Sequence, residues 1–178
     1  MEVYLRELKE SDKDEVLRMV EEIKNDDTVE DKFEGLSNFK DVTSESYDEF
    51  LEKVLVINKS IKLYKPNLVN QTTYVLVDEN DHIYGGANLR HELNENLLNH
   101  GGHIGYLIRP TERCKGYAKQ QLLLLLEECK KYKIEKALVT CREDNIGSRK
   151  TIEACGGVYE DSREDAGKMY RRYWIDVV

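Results

Sequence analysis

The chain has 178 residues, enough for one domain with a sizeable core, and its 35 acidic against 27 basic side chains give a formal net charge of −8. That balance excludes a partner held through a phosphate backbone, so no nucleic acid is expected. No apolar run approaches the roughly 18 residues that span a bilayer, and the start MEVYLRELKE is too charged for a signal peptide, so a cytoplasmic protein with no membrane partner is expected.

In chain order, residues 2–8 alternate as a first strand. Ser11 with Asp14 suits the cap of a helix whose apolar face carries Val16, Leu17, Val20 and Ile23. The acidic, glycine-containing run 25–38 reads as a loop. Ser46 and Glu49 then form a capping-box pair for a second helix, with Phe50, Leu51, Val54 and Leu55 as its core stripe. Residues 72–77 and 82–89 are two strands joined by the turn at 78–81, a hairpin signal without a glycine.

Residues 101–118, GGHIGYLIRPTERCKGYA, carry the strongest local message. The stretch 104–108 suits a buried strand, Pro110 ends the pairing because it lacks a donor, and Gly116 lets backbone approach a ligand closely. A helix starting near Lys115 or Gly116 presents unpaired N–H groups and the positive end of its dipole, with Arg113 and Lys115 adding charge. This is an anion site suited to a pyrophosphate. Five consecutive leucines at 122–126 are flanked by Lys119, Gln120, Glu127 and Glu128, which makes the run a core helix. Residues 137–141 form a short buried strand, Asn145 caps a helix that stops at Gly156, and 169–177 supply a terminal strand. The apolar end at 173–178 offers an edge on which a second subunit could pair, which leaves both a monomer and a homodimer open. The whole chain, 1–178, reads as a single mixed α/β domain.

The run Arg113-Cys114-Lys115-Gly116-Tyr117-Ala118 matches the R/Q-x-x-G-x-G/A signature of the GNAT superfamily of N-acetyltransferases. The chain resembles that superfamily over nearly its whole length, with the strand before the turn, the helix after it, and a second strand and helix carrying Asn145 in the same order. From Arg90 through His91, Leu93 and Asn94 to GGHIGY it is most similar to a bacterial branch of predicted acetyltransferases that names no substrate. The resemblance implies a central mixed, mostly antiparallel sheet of about six or seven strands with splayed fourth and fifth strands, flanked by about four helices. It also implies acetyl-CoA as cosubstrate, attack by a primary amine without a covalent intermediate, and no metal.

By the same resemblance, backbone groups of Leu107, Ile108 and Arg109 hold the pantetheine arm. Main-chain N–H groups of Arg113, Cys114, Lys115, Gly116, Tyr117 and Ala118 wrap the pyrophosphate, and Asn145 and Ser148 meet the cofactor arm. Many relatives carry glycine where this chain has Cys114. His103 stands where related enzymes carry the glutamate of A-E-I-G-Y, a slot used for the general base, and histidine suits that work near neutral pH. The slot where many relatives carry a tyrosine general acid is Ile152 here. Residues 1–60 hold 18 acidic and 9 basic side chains, against 17 and 18 in the rest. That third resembles the acceptor-facing part of the fold, which implies a cationic small-molecule or peptide amine.

Other readings are weaker. His91, His100 and His103 do not make a metal site, because strand neighbours three apart face opposite ways. The four cysteines, Cys114, Cys129, Cys141 and Cys155, lie far apart and read as free thiols. The turn lacks the G-K-[ST] ending of a P-loop. The rival function is a non-catalytic acyl-CoA-binding or sensing module, which the missing tyrosine permits.

Overall fold

Among the described residues, 2–60 and 68–178, the computed structural model has one seven-stranded sheet in the order β1-β2-β3-β4-β5-β7-β6. The strands are β1 (Tyr4–Arg6), β2 (Gln71–Val77), β3 (Ile83–Arg90), β4 (Ile104–Ile108), β5 (Lys136–Arg142), β6 (Val158–Asp165) and β7 (Lys168–Asp176). The helices are α1 (Lys13–Lys24), α2 (Tyr47–Ser60), α3 (Glu95–Asn99), α4 (Tyr117–Lys131) and α5 (Ile146–Ala154). Every neighbouring pair is antiparallel except β4 and β5. A parallel pair needs a crossover, and α4 supplies it.

Side-chain alternation divides the core. Val75 and Val77 on β2 pack with Val16, Met19, Val20 and Ile23 of α1 and with Leu51 and Val54 of α2. Tyr74 turns to the other face and joins Leu122, Leu125 and Leu126 of α4 and Ile152 of α5. Helical geometry cannot bury five leucines in a row: Leu122, Leu125 and Leu126 go inward while Leu123 stays 44% exposed. Each buried leucine contributes about 1.5–3 kcal/mol relative to exposure.

Several local readings change. β1 is shorter than the expected 2–8, and Ser11 lies in a 3-10 turn, Glu10–Asp12, rather than capping α1. The Ser46 hydroxyl accepts from the Thr43 N–H at 2.9 Å at the entrance to α2. The glycine-free hairpin works because Asp81 takes a left-handed φ of 61° while Asp78 accepts from the N–H groups of Asn80 and His82. Two elements lacked an apolar pattern to reveal them. α3 is a short surface helix capped by Asn94, and β6 is an exposed edge strand that turns into β7 through Ala166 and Gly167, both at positive φ.

One feature of the sheet positions the site. β4 and β5 pair only at Ile104↔Val139, so Tyr106 and Ile108 have no partner in the β5 register. The two strands splay from that point toward their C-terminal ends.

Candidate active site

At the base of the splay, His103 acts as a clamp. Its N–H donates to the Leu138 carbonyl at 2.8 Å, and its Nδ1 accepts from the Leu138 N–H at 2.9 Å, so the imidazole stands in for a missing ladder carbonyl. Burial, with the nearby Arg90 charge, pushes it down to about 4. A base with that affinity has little drive to take a proton from an ammonium group. The geometry gives His103, expected as the catalytic base, a structural part between β4 and β5.

Above the clamp, β4 offers its main chain unevenly. The Arg109 N–H donates to the Tyr84 carbonyl on β3 at 2.9 Å. Directions alternate along a strand, so Leu107 also turns to β3, while Tyr106 and Ile108 turn to the splay. Of the three residues expected to present backbone there, Ile108 does so and Leu107 and Arg109 do not. Tyr106, which the sequence argument missed, joins Ile108. Its phenol meets the Ser148 hydroxyl at 3.0 Å across the gap to α5, and burial raises its pKa. The Arg109 side chain is buried against α1, with Glu22, Glu15 at 3.1 Å, and the Ile83 carbonyl at 3.0 Å as partners.

The turn after β4 is shaped for an anion. Cys114 holds φ 60° and Gly116 φ 88°, and a side chain at Gly116 would meet nothing within 4 Å. The N–H groups of residues 114–119 donate to no described residue; the first bond of α4 runs from Gln120 to the Gly116 carbonyl at 3.2 Å. A row of unspent donors at a helix start is a pyrophosphate cradle in its chemistry, which fits the expected cosubstrate. The side chains take other duties. Arg113 donates to the Ile108 carbonyl at 3.1 Å and pairs with Asp26, and its own N–H is spent on the Pro110 carbonyl, so neither its charge nor its amide is free for the cradle. Lys115 pairs with Glu112 at 3.0 Å.

On α5, Asn145 accepts the Ser148 N–H at 3.0 Å and so caps the helix. Ile152 is fully buried in the core. Six acids of the N-terminal third are spent on the protein's own cations: Asp12 on Arg6, Glu15 and Glu22 on Arg109, Asp26 on Arg113, and Glu30 and Asp31 on Arg142 and Lys168. Part of the raw acidity is thus internal pairing, not an open attraction for cations. Among the described residues no group of three or more His, Cys, Asp or Glu side chains is placed to hold a metal ion, and no helix is long and apolar enough to cross a membrane.

This architecture has relatives. A family model described as an acetyltransferase (GNAT) domain matches residues 2–158. Curated proteins include no significant match. Among solved structures, a ribosomal-protein alanine acetyltransferase from Vibrio fischeri superposes with a TM-score of 0.69 at 17% identity, covering 99% of this chain and 93% of that one. A SpeG spermidine N-acetyltransferase chimera from Vibrio cholerae and hSSAT gives 0.65 at 16% identity, covering 99% and 96%. The Vibrio cholerae spermidine N-acetyltransferase in complex with CoA and spermine gives 0.63 at 16% identity, covering 98% and 95%. At such identities the likeness to these structures is one of fold.

Proposed function

The chain belongs to the GNAT acetyltransferase family, and on that premise we propose that it acetylates a primary amine, cationic and carried by a small molecule or peptide, with acetyl-CoA as donor. The observation that carries this reading is the pairing of an open β4 edge, at Tyr106 and Ile108, with the unspent N–H groups of residues 114–119. Those groups hold the pyrophosphate, and the Ile108 and Tyr106 main chains hold the arm that follows it. Asn145 and Ser148 border the same gap from α5. When bound, the thioester supplies an activated acetyl group with a good leaving sulfur.

The protein's own work is alignment, exclusion of water and proton handling. A proton donor at Ile152 is absent, since that side chain lies in the core. Burial keeps the Tyr106 phenol protonated, and its contact with Ser148 closes the gap toward α5 against water. The bound acceptor is cationic because the site retains an unpaired carboxylate, Glu34, on the loop across the splay.

The test is release of free CoA thiol from acetyl-CoA over a panel of polyamines, amino acids and basic peptides, with calorimetry of CoA binding beside it. Turnover on a cationic amine is expected. CoA binding without turnover on any amine would replace this reading with that of an acyl-CoA-binding module, and no CoA binding would remove both.

A further inference from the structure

Glu34 differs from the other acids around the splay. Its carboxylate has no hydrogen-bond or ion-pair partner among the described residues, and its oxygens are not among the unpartnered atoms sealed from solvent. Asp31, three positions earlier, is held by Lys168 and by Arg142. An unpaired carboxylate that is largely removed from water but still reachable is costly to keep. A ligand that completes it offsets that cost.

Its place is fixed by the residue that follows. Gly35 has φ +85°, and a Cβ there would stand 2.8 Å from both the nitrogen and the oxygen of Tyr106. A Cβ on Gly105 would in turn stand 2.7 Å from the Gly35 carbonyl oxygen. Backbone thus lies on backbone, and the 34–35 segment is seated against β4 where the splay begins. On the opposite side, the charge of Glu34 is felt at Cys141 on β5 and Tyr170 on β7, both of which it raises. The charged groups facing Glu34 are Arg142 at the end of β5, Asp144 beyond it, Lys168 on β7, and Asp31 on its own loop. Phe33 and Leu36 on either side of this segment pack with α1 and α2, so Glu34 sits beside the start of the gap on the face that carries those helices.

We propose that Glu34 contacts the acceptor's ammonium group and removes its proton, making it the catalytic base and the determinant of a cationic substrate. This rests on the acetyltransferase reading above. In the step, one ammonium proton passes to the Glu34 carboxylate. The freed lone pair forms the C–N bond to the thioester carbon, and the C–S bond breaks with its electron pair on sulfur. The remaining excess proton on nitrogen ends on that sulfur, and Glu34 returns its own to solvent. Burial is the largest influence on Glu34 and raises its pKa, with Arg142 and Lys168 opposing and Asp31 and Asp144 reinforcing. A stronger carboxylate base is the result.

The experiment compares kcat, KM and their pH profiles for the unaltered protein, Glu34→Gln and Glu34→Asp, using spermidine, shorter diamines and a peptide with an N-terminal alanine as probes. CoA affinity is measured by calorimetry on each. The expected result is a fall in kcat of about a hundredfold for Glu34→Gln, the lower bound usual for a general base. The acidic limb of the profile disappears with it, Glu34→Asp recovers part of the rate, and CoA affinity is unchanged. An unaltered rate and profile in Glu34→Gln overturns the assignment, as does a parallel loss of CoA affinity, which marks a structural role. Absence of turnover in the unaltered protein on every probe overturns the proposed function instead, and the role of Glu34 falls with it.

Discussion

The turn between β4 and α4 and the loop of residues 25–38 face the same splay, yet they are built differently. The turn works through main-chain N–H groups, left-handed φ angles at Cys114 and Gly116, and a helix start. Its side chains, Arg113 and Lys115, brace the protein itself. The loop works through side-chain charge, and the cations that set that charge come from elsewhere: Arg142 from β5, Lys168 from β7, Arg113 from the turn itself. A main-chain site tolerates substitution and keeps its function; a side-chain site changes character with one residue.

Arg113 ties the turn to the loop through Asp26, and Arg109 just before it ties the end of β4 to α1, the helix that leads into the loop. Arg109→Met removes a guanidinium that is 5% exposed and leaves Glu15 and Glu22, 19% and 25% exposed, facing a methyl group. A loss of about 3 kcal/mol is expected, read from the urea midpoint. A loss under about 1 kcal/mol would mean that α1 and the β4 end are held independently of this pair. Gly105→Ala probes the contact between loop and sheet. Its methyl must push the Gly35 carbonyl from 2.7 Å, so kcat should fall about tenfold while CoA affinity holds, since a small misplacement of a reacting group suffices for that. Equal losses in both would show the loop and the turn to be one unit.

His103 lies below both regions, at the base of the splay. Its imidazole is neutral in the folded chain down to about 4, against 6.5 ordinarily, because of burial and Arg90. Between those values the unfolded chain binds a proton that the folded chain does not. The histidine's share of stability is therefore present above about 6.5 and is lost as pH falls through about 4. His103→Asn places an amide oxygen where Nδ1 accepts from Leu138 and should flatten that acid limb, measured by unfolding at stepped pH, with turnover unchanged. A large loss of kcat at full CoA affinity would return the base to His103. The smallest effect belongs to Cys114→Gly. Relief of the left-handed φ should raise stability by up to about 1 kcal/mol, partly offset by the freer unfolded chain, with kinetics unaltered. A fall in CoA affinity would show that the thiol itself touches the donor.

Legibility followed the kind of interaction involved. Where an element is decided by local chemistry, the residues announce it: Ile104–Ile108 as a strand, Gly116 as the break before α4, and Asn145 as the cap of α5 stand as read. The leucine run was readable as a helix from its flanks, although only the sheet beneath decides which leucines are inward. β6 was hidden because an edge strand needs no apolar alternation, and α3 because a five-residue helix on the surface has no buried stripe.

Reading along the chain was therefore enough for most of the elements in their order, the glycine turn before α4 and the family. Each of these rests on backbone conformation and short-range pattern, which neighbours in the chain control. The tertiary structure alone decided which β4 residues face the gap, because strand parity is set by the partner strand. It decided that His103 is a clamp, because Leu138 lies 35 positions away. It decided, too, which acids of an acidic third are paired, because the cations that hold Glu15, Glu22, Asp26 and Asp31 arrive from later in the chain. Charge can be counted along a sequence, but the pairing of charges is a property of the fold.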